Sequence, residues 1–185
     1  ATGAARCFII GSSTGTDRAY YSVIDGINCD CNVDGGPVNC TSNGYKIGGV
    51  GTTGGDSIQL QNLEIKNSEA SGILMGGVDI RLINLDIHDN GVSGSNLNHN
   101  IYMTGSDHLL ERSYLHDNVG TGYNLHVYNV GGGVHRNTIR YNVFKNGPLI
   151  IGSGNDNFVH NNVVIDSPTG GISLSGANST NTKIY

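Results

Sequence analysis

The sequence has no tryptophan, only three prolines, and few charged residues, which make up 14% of the chain where about 25% is usual. No stretch is rich in the alanine, leucine, glutamate and lysine that favour helices, and this nearly excludes a helical bundle. Collagen is excluded because the 29 glycines follow no three-residue period. Disorder is disfavoured because 37% of the residues are hydrophobic and are spread evenly. An all-β chain with many turns remains.

Positive charge and long apolar runs are scarce as well. Ten lysines and arginines stand against 15 acidic residues, which gives a net charge of −5. This balance argues against nucleic acid or an anionic membrane as a partner. No apolar run approaches the ~18 residues of a membrane-spanning helix, so we expect no membrane insertion.

Cysteine is confined to the first 40 residues, where Cys7, Cys29, Cys31 and Cys40 lie. One Cys-X-Cys pair and two single residues lack the paired Cys-X-X-Cys spacing that is typical of zinc sites. We therefore predict two disulfides that pin an N-terminal segment, and the sequence leaves their pairing open. Disulfides form in oxidising compartments, so the expected location is secreted or extracellular.

An internal repeat is the main signal in this sequence. Self-similarity recurs at about 22 to 28 residues, which is typical of a solenoid. Each unit contains a segment of the form apolar–variable–apolar, and strand alternation turns its middle residue outward and the flanking residues into the core. These segments are Phe8–Ile10, Tyr45–Ile47, Ile73–Met75, Ile101–Met103, Leu125–Val127, Leu149–Ile151 and Ile172–Leu174.

A second, eight-residue segment has apolar residues at its first and sixth positions. A flat strand cannot turn residues five apart to one face, so we predict a bend between two strands. The fourth position, which holds asparagine, serine or leucine, is where the chain turns inward, since asparagine tolerates left-handed geometry. The aligned segments are residues 60–67, 82–89, 110–117, 134–141 and 159–166.

Such a unit buries its apolar face only by stacking on copies of itself, about 4.8 Å apart. The sequence therefore predicts one all-β domain over residues 1–185, a parallel β-helix of about seven coils. The stretches Arg136-Asn137-Thr138-Ile139 and Asn161-Asn162-Val163-Val164 are typical of such coils. Over residues 44–185 the sequence resembles the right-handed parallel β-helix superfamily, which includes pectate lyase-like polysaccharide enzymes. Residues 1–43 are expected to form an irregular, cysteine-containing first coil.

The last residues, 181–185, have the pattern that starts another second segment. A β-helix that stopped there would expose unpaired backbone groups, which natural proteins normally cover. We therefore expect either that the coils continue in a longer chain or that a neighbouring molecule stacks end to end on this coil.

The outward positions of the first segment hold one polar, aromatic group. Tyr102 and His126 fall on consecutive coils, Tyr128 follows on the same face, and His99 and Asn124 precede the two strands. Aromatic faces beside hydrogen-bonding groups suit a sugar ring, and tyrosine and histidine can transfer a proton next to a uronate carboxylate. We predict Tyr102 and His126 as catalytic residues and the other three as substrate-binding. The alternative is simple decoration of an exposed sheet.

The seventh position of the second segment gives a basic stripe suited to an anionic polysaccharide. Its members are Lys66, His88, His116 and Arg140. We predict His116 as a further catalytic candidate and three arginines as ligands of substrate carboxylates: Arg112, Arg136 and Arg140. The alternative is a balanced charge ladder, because Glu64 and Asp86 lie two positions before the stripe.

No cofactor and no metal is predicted. The motifs His88-Asp89-Asn90 and His116-Asp117-Asn118 bring two imidazoles together on consecutive coils, but the sequence shows no third ligand. Phosphate-loop, His-Glu-X-X-His and EF-hand motifs are absent from the sequence.

The resemblance and the outward columns together predict a carbohydrate-active protein. It would bind or act on an acidic polysaccharide as a lyase, an epimerase or a hydrolase. The alternative is a non-catalytic structural or adhesive β-helix, such as a segment of an extracellular filament or surface fibre. That alternative fits the abundance of glycine and asparagine, with 29 and 23 residues.

Overall fold

The structure, a computed structural model, describes residues 7–11, 19–31, 40, 43–47, 55–129, 133–175 and 179–185. These residues form short strands that pair in parallel with their counterparts about one repeat later in the chain. None of the described residues lies in a helix, and so none belongs to a helix that could cross a membrane.

The first sheet contains seven strands of three residues each, stacked in chain order. They are β1 (Phe8–Ile10), β5 (Tyr45–Ile47), β8 (Ile73–Met75), β11 (Ile101–Met103), β14 (Leu125–Val127), β17 (Leu149–Ile151) and β21 (Ile172–Leu174). Their pairing is parallel, and residues at the same position of the segment are always partners.

The second sheet contains eleven strands. Two of them are eight residues long, and the first half of β10 pairs with β12 while its second half pairs with β13. The strands are β3 (Val23–Asp25), β4 (Cys29–Asp30), β7 (Gln59–Lys66), β10 (Arg81–His88), β12 (Leu109–Glu111), β13 (Tyr114–His116), β15 (Thr138–Arg140), β16 (Val143–Lys145), β19 (Phe158–His160), β20 (Val163–Ile165) and β23 (Lys183–Ile184).

Two small sheets of two-residue strands form a third face. They consist of β2 (Ala19–Tyr20), β6 (Gly55–Asp56) and β9 (Gly77–Val78), and of β18 (Gly154–Asn155) and β22 (Ser179–Thr180). Single parallel bridges from Val78 through Ser106 and His135 to Asn155 connect the two. The predicted all-β, parallel β-helix is confirmed.

Strand alternation places the core of the β-helix. In β5, β8, β11 and β14 the first and third residues are buried and the middle residue faces outward, as predicted. The inward residues stack in two columns that no solvent reaches. They are Tyr45, Ile73, Ile101, Leu125 and Leu149, and Ile47, Met75, Met103, Val127 and Ile151.

Each second segment bends, but the left-handed residue is the third and not the fourth. The third positions have φ values between 53° and 57° when the fourth segment is taken as residues 139–146, the frame that the strand pairing gives. They are Asn62, Asn84, Arg112, Tyr141 and Asn161. The fourth positions turn inward as predicted, and Leu63, Leu85 and Ser113 are buried. Asparagine tolerates a left-handed backbone, whereas Arg112 and Tyr141 adopt it at a cost that the stacked neighbours offset.

The alignment of residues 134–141 with the other second segments is wrong by five residues. Leu110 pairs with Ile139 and not with Val134, and Leu115 pairs with Phe144. Both frames put apolar residues at the first and sixth positions, so the hydrophobic pattern alone does not separate them. The matching segment is residues 139–146, which puts Asn142 at the fourth position.

Side chains at the bends satisfy backbone groups of the coil before them. The Leu85 N–H donates to Ser113 Oγ at 3.1 Å, and the Ser113 N–H donates to Asn142 Oδ1 at 2.9 Å. The Asn142 N–H in turn donates to Asn162 Oδ1 at 3.0 Å. In this ladder the backbone N–H groups of Leu85, Ser113 and Asn142 donate to side-chain oxygens, because no backbone carbonyl accepts them at the bend.

The same arrangement recurs at another bend, with a histidine in the ladder. The Ile80 N–H donates to His108 Nδ1 at 3.0 Å, and His108 Nε2–H donates to the Thr104 carbonyl at 2.8 Å. The His108 N–H donates to Asn137 Oδ1 at 2.9 Å. Burial lowers the pKa of His108 to about 4, so this histidine is a neutral part of the wall.

Glycine is required where coils approach closely at the third face. A Cβ on Gly77, whose φ is +124°, would lie 2.1 Å from the Gly55 carbonyl oxygen. A Cβ on Gly105, one coil further on, would lie 2.2 Å from the Gly77 carbonyl oxygen. The two positions therefore exclude any larger residue.

The predicted pair of disulfides is confirmed, and the bonds join Cys7 to Cys29 and Cys31 to Cys40. Cys29 lies in β4 beside Ile65 of the next coil, and three of the four cysteines are buried against the core. Such bonds are typical of proteins outside the reducing cytoplasm.

We predict that Asn142→Ala destabilises the protein by about 1–3 kcal/mol, because it leaves the buried Ser113 N–H without an acceptor. Urea unfolding followed by circular dichroism measures the change. Asn96→Ala is the matched control at an exposed position, and a change within about 0.5 kcal/mol is expected there. Equal stability of the two variants would show that the ladder does not hold the bend.

Candidate functional site

The outward face of the first sheet brings together the aromatic residues that the sequence placed in one column. Tyr102 of β11 and His126 of β14 are direct partners in the parallel register. Leu74 of β8 precedes them and Ile150 of β17 follows them in the same column. Tyr128 lies two residues after His126 and therefore on the same side of the chain.

Five rings form a cluster around His126, which we call the histidine–tyrosine pocket. The His99 ring stacks on Tyr102 and Tyr123 at centroid distances of 5.5 and 5.4 Å. The His126 ring stacks on Tyr128 at 5.2 Å and stands edge-on to Tyr102 at an interplanar angle of 85°. Two sets of ring faces therefore meet at nearly a right angle.

A cavity of about 330 Å³ opens beside these rings. None of the described residues that line it carries a formal charge. Asn96 and Leu97 belong to the loop after β10 and form one wall, and Leu97 remains 80% exposed. The lining is Asn43, Ala70, Ser71, Leu74, Asn96, Leu97, His99, Tyr102, His126 and Tyr128.

A short chain of hydrogen bonds fixes the protonation of both histidines. The Tyr123 backbone N–H donates to His99 Nδ1 at 3.0 Å, so this nitrogen carries no proton. Neutral His99 then has its proton on Nε2, which lies 3.1 Å from His126 Nδ1 and donates to it. Neutral His126 must in turn carry its own proton on Nε2. His126 therefore presents an N–H donor on its remaining nitrogen.

The surroundings keep these groups uncharged near neutral pH. Burial lowers the pKa of His99 to about 3, with a further contribution from His126. Burial also lowers the pKa of His126 to about 4. The pKa of Tyr102 is raised by burial and by Tyr128. The pocket is thus a neutral, hydrogen-bonding surface.

Asn124, predicted to bind substrate, is not part of this surface. Its side chain is fully buried, and its amide donates to the Lys145 and Gly147 carbonyls at 3.0 Å each. Its Oδ1 accepts from Asn100 Nδ2 at 2.8 Å. Asn124 therefore holds adjacent coils together. His99 is also only 2% exposed, but its ring lines the pocket.

His116, the third catalytic candidate, lies on the second sheet and apart from the histidine–tyrosine pocket. It pairs in register with His88, and the two rings stack at 4.6 Å. Carboxylates surround the pair: His116 contacts Asp86 and Asp117, and His88 contacts Glu64 and Asp89. Burial alone would lower the pKa of His88, but its hydrogen bonds to carboxylates outweigh this and raise it.

The predicted basic stripe is corrected at Arg140. Lys145 and not Arg140 follows His116 in the column, because the segment is shifted by five residues. Arg140 pairs instead with Glu111, and its guanidinium lies 2.8 Å from that carboxylate.

The other two predicted arginines occupy different bends. Arg136 makes two hydrogen bonds of 2.7 Å to Asp107, which hold the pKa of that carboxyl below its usual range. Arg112 lies at the left-handed bend of the second sheet and lines a separate cleft of about 630 Å³. The fold therefore gathers none of the three arginines at the histidine–tyrosine pocket.

Two contributors to the pocket lie next to the predicted site residues but were given no role from the sequence. Tyr123 supplies the backbone donor that sets the tautomers, and Leu97 supplies part of the apolar wall. Their signals were weak, because both lie in loops where strand alternation gives no direction. The sequence showed only that an aromatic residue, Tyr123, lies three positions before His126.

We predict that stability falls as the pH is lowered from about 6.5 towards about 4. His99, His108 and His126 have folded-state pKa values of about 3, 4 and 4, below the unfolded value of about 6.5. Their contribution is complete above pH ~6.5 and is lost on acidification, because only the unfolded chain takes up protons. Each adds a slope of about 1.4 kcal/mol per pH unit.

Urea unfolding at a series of pH values measures this slope. A His99→Gln variant has one such group fewer, so its stability should fall less steeply over the same range. Stability that stays level from about pH 6.5 to about pH 4 would contradict the assignment of neutral histidines.

Comparison with known proteins bears on the fold. A search of curated proteins gave no match. A family model described as the right handed beta helix region matches residues 25–185, which is most of the chain. This match agrees with the stacked parallel sheets and supplies the handedness that the sequence resemblance implied. The chain belongs to the right-handed β-helix family.

Proposed function

We propose that the protein binds an uncharged saccharide in the histidine–tyrosine pocket. One observation carries this proposal: His126, whose Nε2 carries an N–H, lines together with Tyr102 and Tyr128 a cavity without charged lining among the described residues. Sugar rings have an apolar face that packs on aromatic side chains and hydroxyls at the edge that need directional partners. The pocket offers both.

The size of the cavity supports a small ligand or one unit of a longer chain. Its volume of about 330 Å³ lies at the lower end of the range for ligand pockets, about 300–1,000 Å³. One wall comes from Asn96 and from Leu97, which stays largely exposed.

The charges favour a neutral sugar over the acidic polysaccharide that the sequence suggested. Arg136 and Arg140 are paired with Asp107 and Glu111 on other faces of the β-helix. None of the described residues that line the pocket is a cation, so a uronate carboxylate bound there would lose hydration without a paired charge in the lining.

The tautomers favour binding over proton abstraction. A general base needs a free lone pair, and neutral His126 uses its only one to accept the proton of His99. Raising the pKa of Tyr102 also keeps its hydroxyl protonated. Catalysis by Tyr102, His126 and His116 stays a prediction, as does the structural or adhesive alternative. We further propose that the protein is secreted, which its two disulfides support.

We predict that the wild-type protein binds neutral oligosaccharides on a glycan array and that Tyr102→Ala and Tyr128→Ala lower the affinity at least about ten-fold. The loss of an aromatic face costs roughly 1.4 kcal/mol. Calorimetry with the best array ligand measures it. Tyr141→Ala, at a half-exposed bend of the second sheet, is the matched control and should bind as the wild type does.

A His126→Phe variant separates the donor from the ring face. It keeps an aromatic ring and removes the N–H, so affinity should fall while the fold is retained. Wild-type affinity in this variant, or binding confined to uronate-containing oligosaccharides, would overturn the proposal.

A further inference from the structure

A second group of chemically active side chains lies on the outer face of the second sheet. His88 of β10 and His116 of β13 are partners in the parallel register, and their rings are stacked 4.6 Å apart at an angle of 10°. Asp86 precedes His88 by two residues and so faces outward on the same strand. The candidate ligand atoms of these three residues all lie within 4.8 Å of one another.

Both imidazoles are oriented by the residue that follows them. His88 Nδ1 lies 2.7 Å from Asp89 Oδ2, and His116 Nδ1 lies 2.7 Å from Asp117 Oδ2. Each Nδ1–H thus donates to a carboxylate, which fixes the ring and leaves Nε2 as the candidate ligand atom. Histidines that bind metals in proteins nearly always have this outer hydrogen bond.

The Nε2 atoms face further carboxylates instead of donors. His116 Nε2 lies 3.1 Å from Asp86 Oδ1, and His88 Nε2 lies 3.3 Å from Glu64 Oε1. A neutral ring whose proton is on Nδ1 would here point a lone pair at the lone pairs of an oxygen. That contact is favourable only when a positive charge, either a proton or a metal ion, lies between the two atoms.

We propose that Asp86, His88 and His116 bind a divalent transition-metal ion, with water at the remaining positions. Two imidazoles and one carboxylate suit zinc and its neighbours, whereas calcium requires six to eight oxygen ligands. With bonds of 2.0–2.1 Å, two ligand atoms of a tetrahedral zinc are about 3.4 Å apart. Binding therefore draws the three side chains together by about an ångström.

The surroundings leave this site open to a further ligand. Asp86 lines the cleft of about 630 Å³ that also contains Arg112 and Tyr114. Lys66 Nζ holds Glu64 Oε1 at 3.0 Å, so Glu64 balances the charge beside the site and is not counted as a ligand.

Zinc binding to the oxidised protein tests the proposal. The protein is stripped with a chelator and kept free of reductant, so that the disulfides cannot supply thiolate ligands. Competition with a chromogenic chelator should show one zinc ion per chain. His88→Gln and His116→Gln should each weaken binding at least about 100-fold, and Asp89→Asn about 10- to 100-fold through the outer hydrogen bond.

His160→Gln is the matched control, because His160 lies on the same sheet in another column, where its Nδ1 meets Asn161 and its ring meets Tyr141 instead of a carboxylate. It should keep the wild-type affinity. Cobalt titration gives a second readout, a visible absorption band that the His88→Gln and His116→Gln variants lose. Failure to bind one ion, or equal affinity in a folded His88→Gln/His116→Gln double variant, would overturn the site and would leave saccharide binding on the first sheet untouched.

Discussion

The architecture depends on how the bends satisfy their backbone amides. At several inward turns the chain leaves a buried N–H whose acceptor is a side chain of the next coil. The series of hydrogen bonds from Leu85 through Ser113 and Asn142 to Asn162 shows this at one bend. At another bend, His108 accepts from the Ile80 N–H. Because an unsatisfied buried amide is costly, the ladders fix which residue of one coil lies on which residue of the next.

That register produces both candidate sites. Parallel stacking sets equivalent positions about 4.8 Å apart, so two polar residues at the same outward position become neighbours without any long loop. Tyr102 meets His126 on the first sheet in this way, and His88 meets His116 on the second. The two pairs then differ in their surroundings. The first is enclosed by rings and stays neutral, whereas carboxylates surround the second.

Sequence patterns predicted the parts of the fold where strand alternation applies. The apolar–variable–apolar segments determined the first sheet and the Tyr102–His126 pair. The pattern failed where two alignments were equally apolar. The first and sixth positions of the second segment are filled equally well by Val134 and Ile139 or by Ile139 and Phe144, and the structure has the second pair. Arg140 was therefore assigned to the wrong column. Outside strands no alternation rule exists, so the burial of Asn124 and the Tyr123 amide donor required the folded backbone.

Saccharide binding in the pocket depends on His99 and His126 being neutral and carrying their protons on Nε2, which makes the pocket a hydrogen-bond donor. Imidazole ¹⁵N chemical shifts, read from long-range ¹H–¹⁵N correlation spectra, report the protonation of each nitrogen directly. At about pH 6 we predict a protonated Nε2 and an unprotonated Nδ1 for both residues, because their pKa values are about 3 and 4. A protonated Nδ1 on either ring, or a charged His126 at that pH, would contradict it.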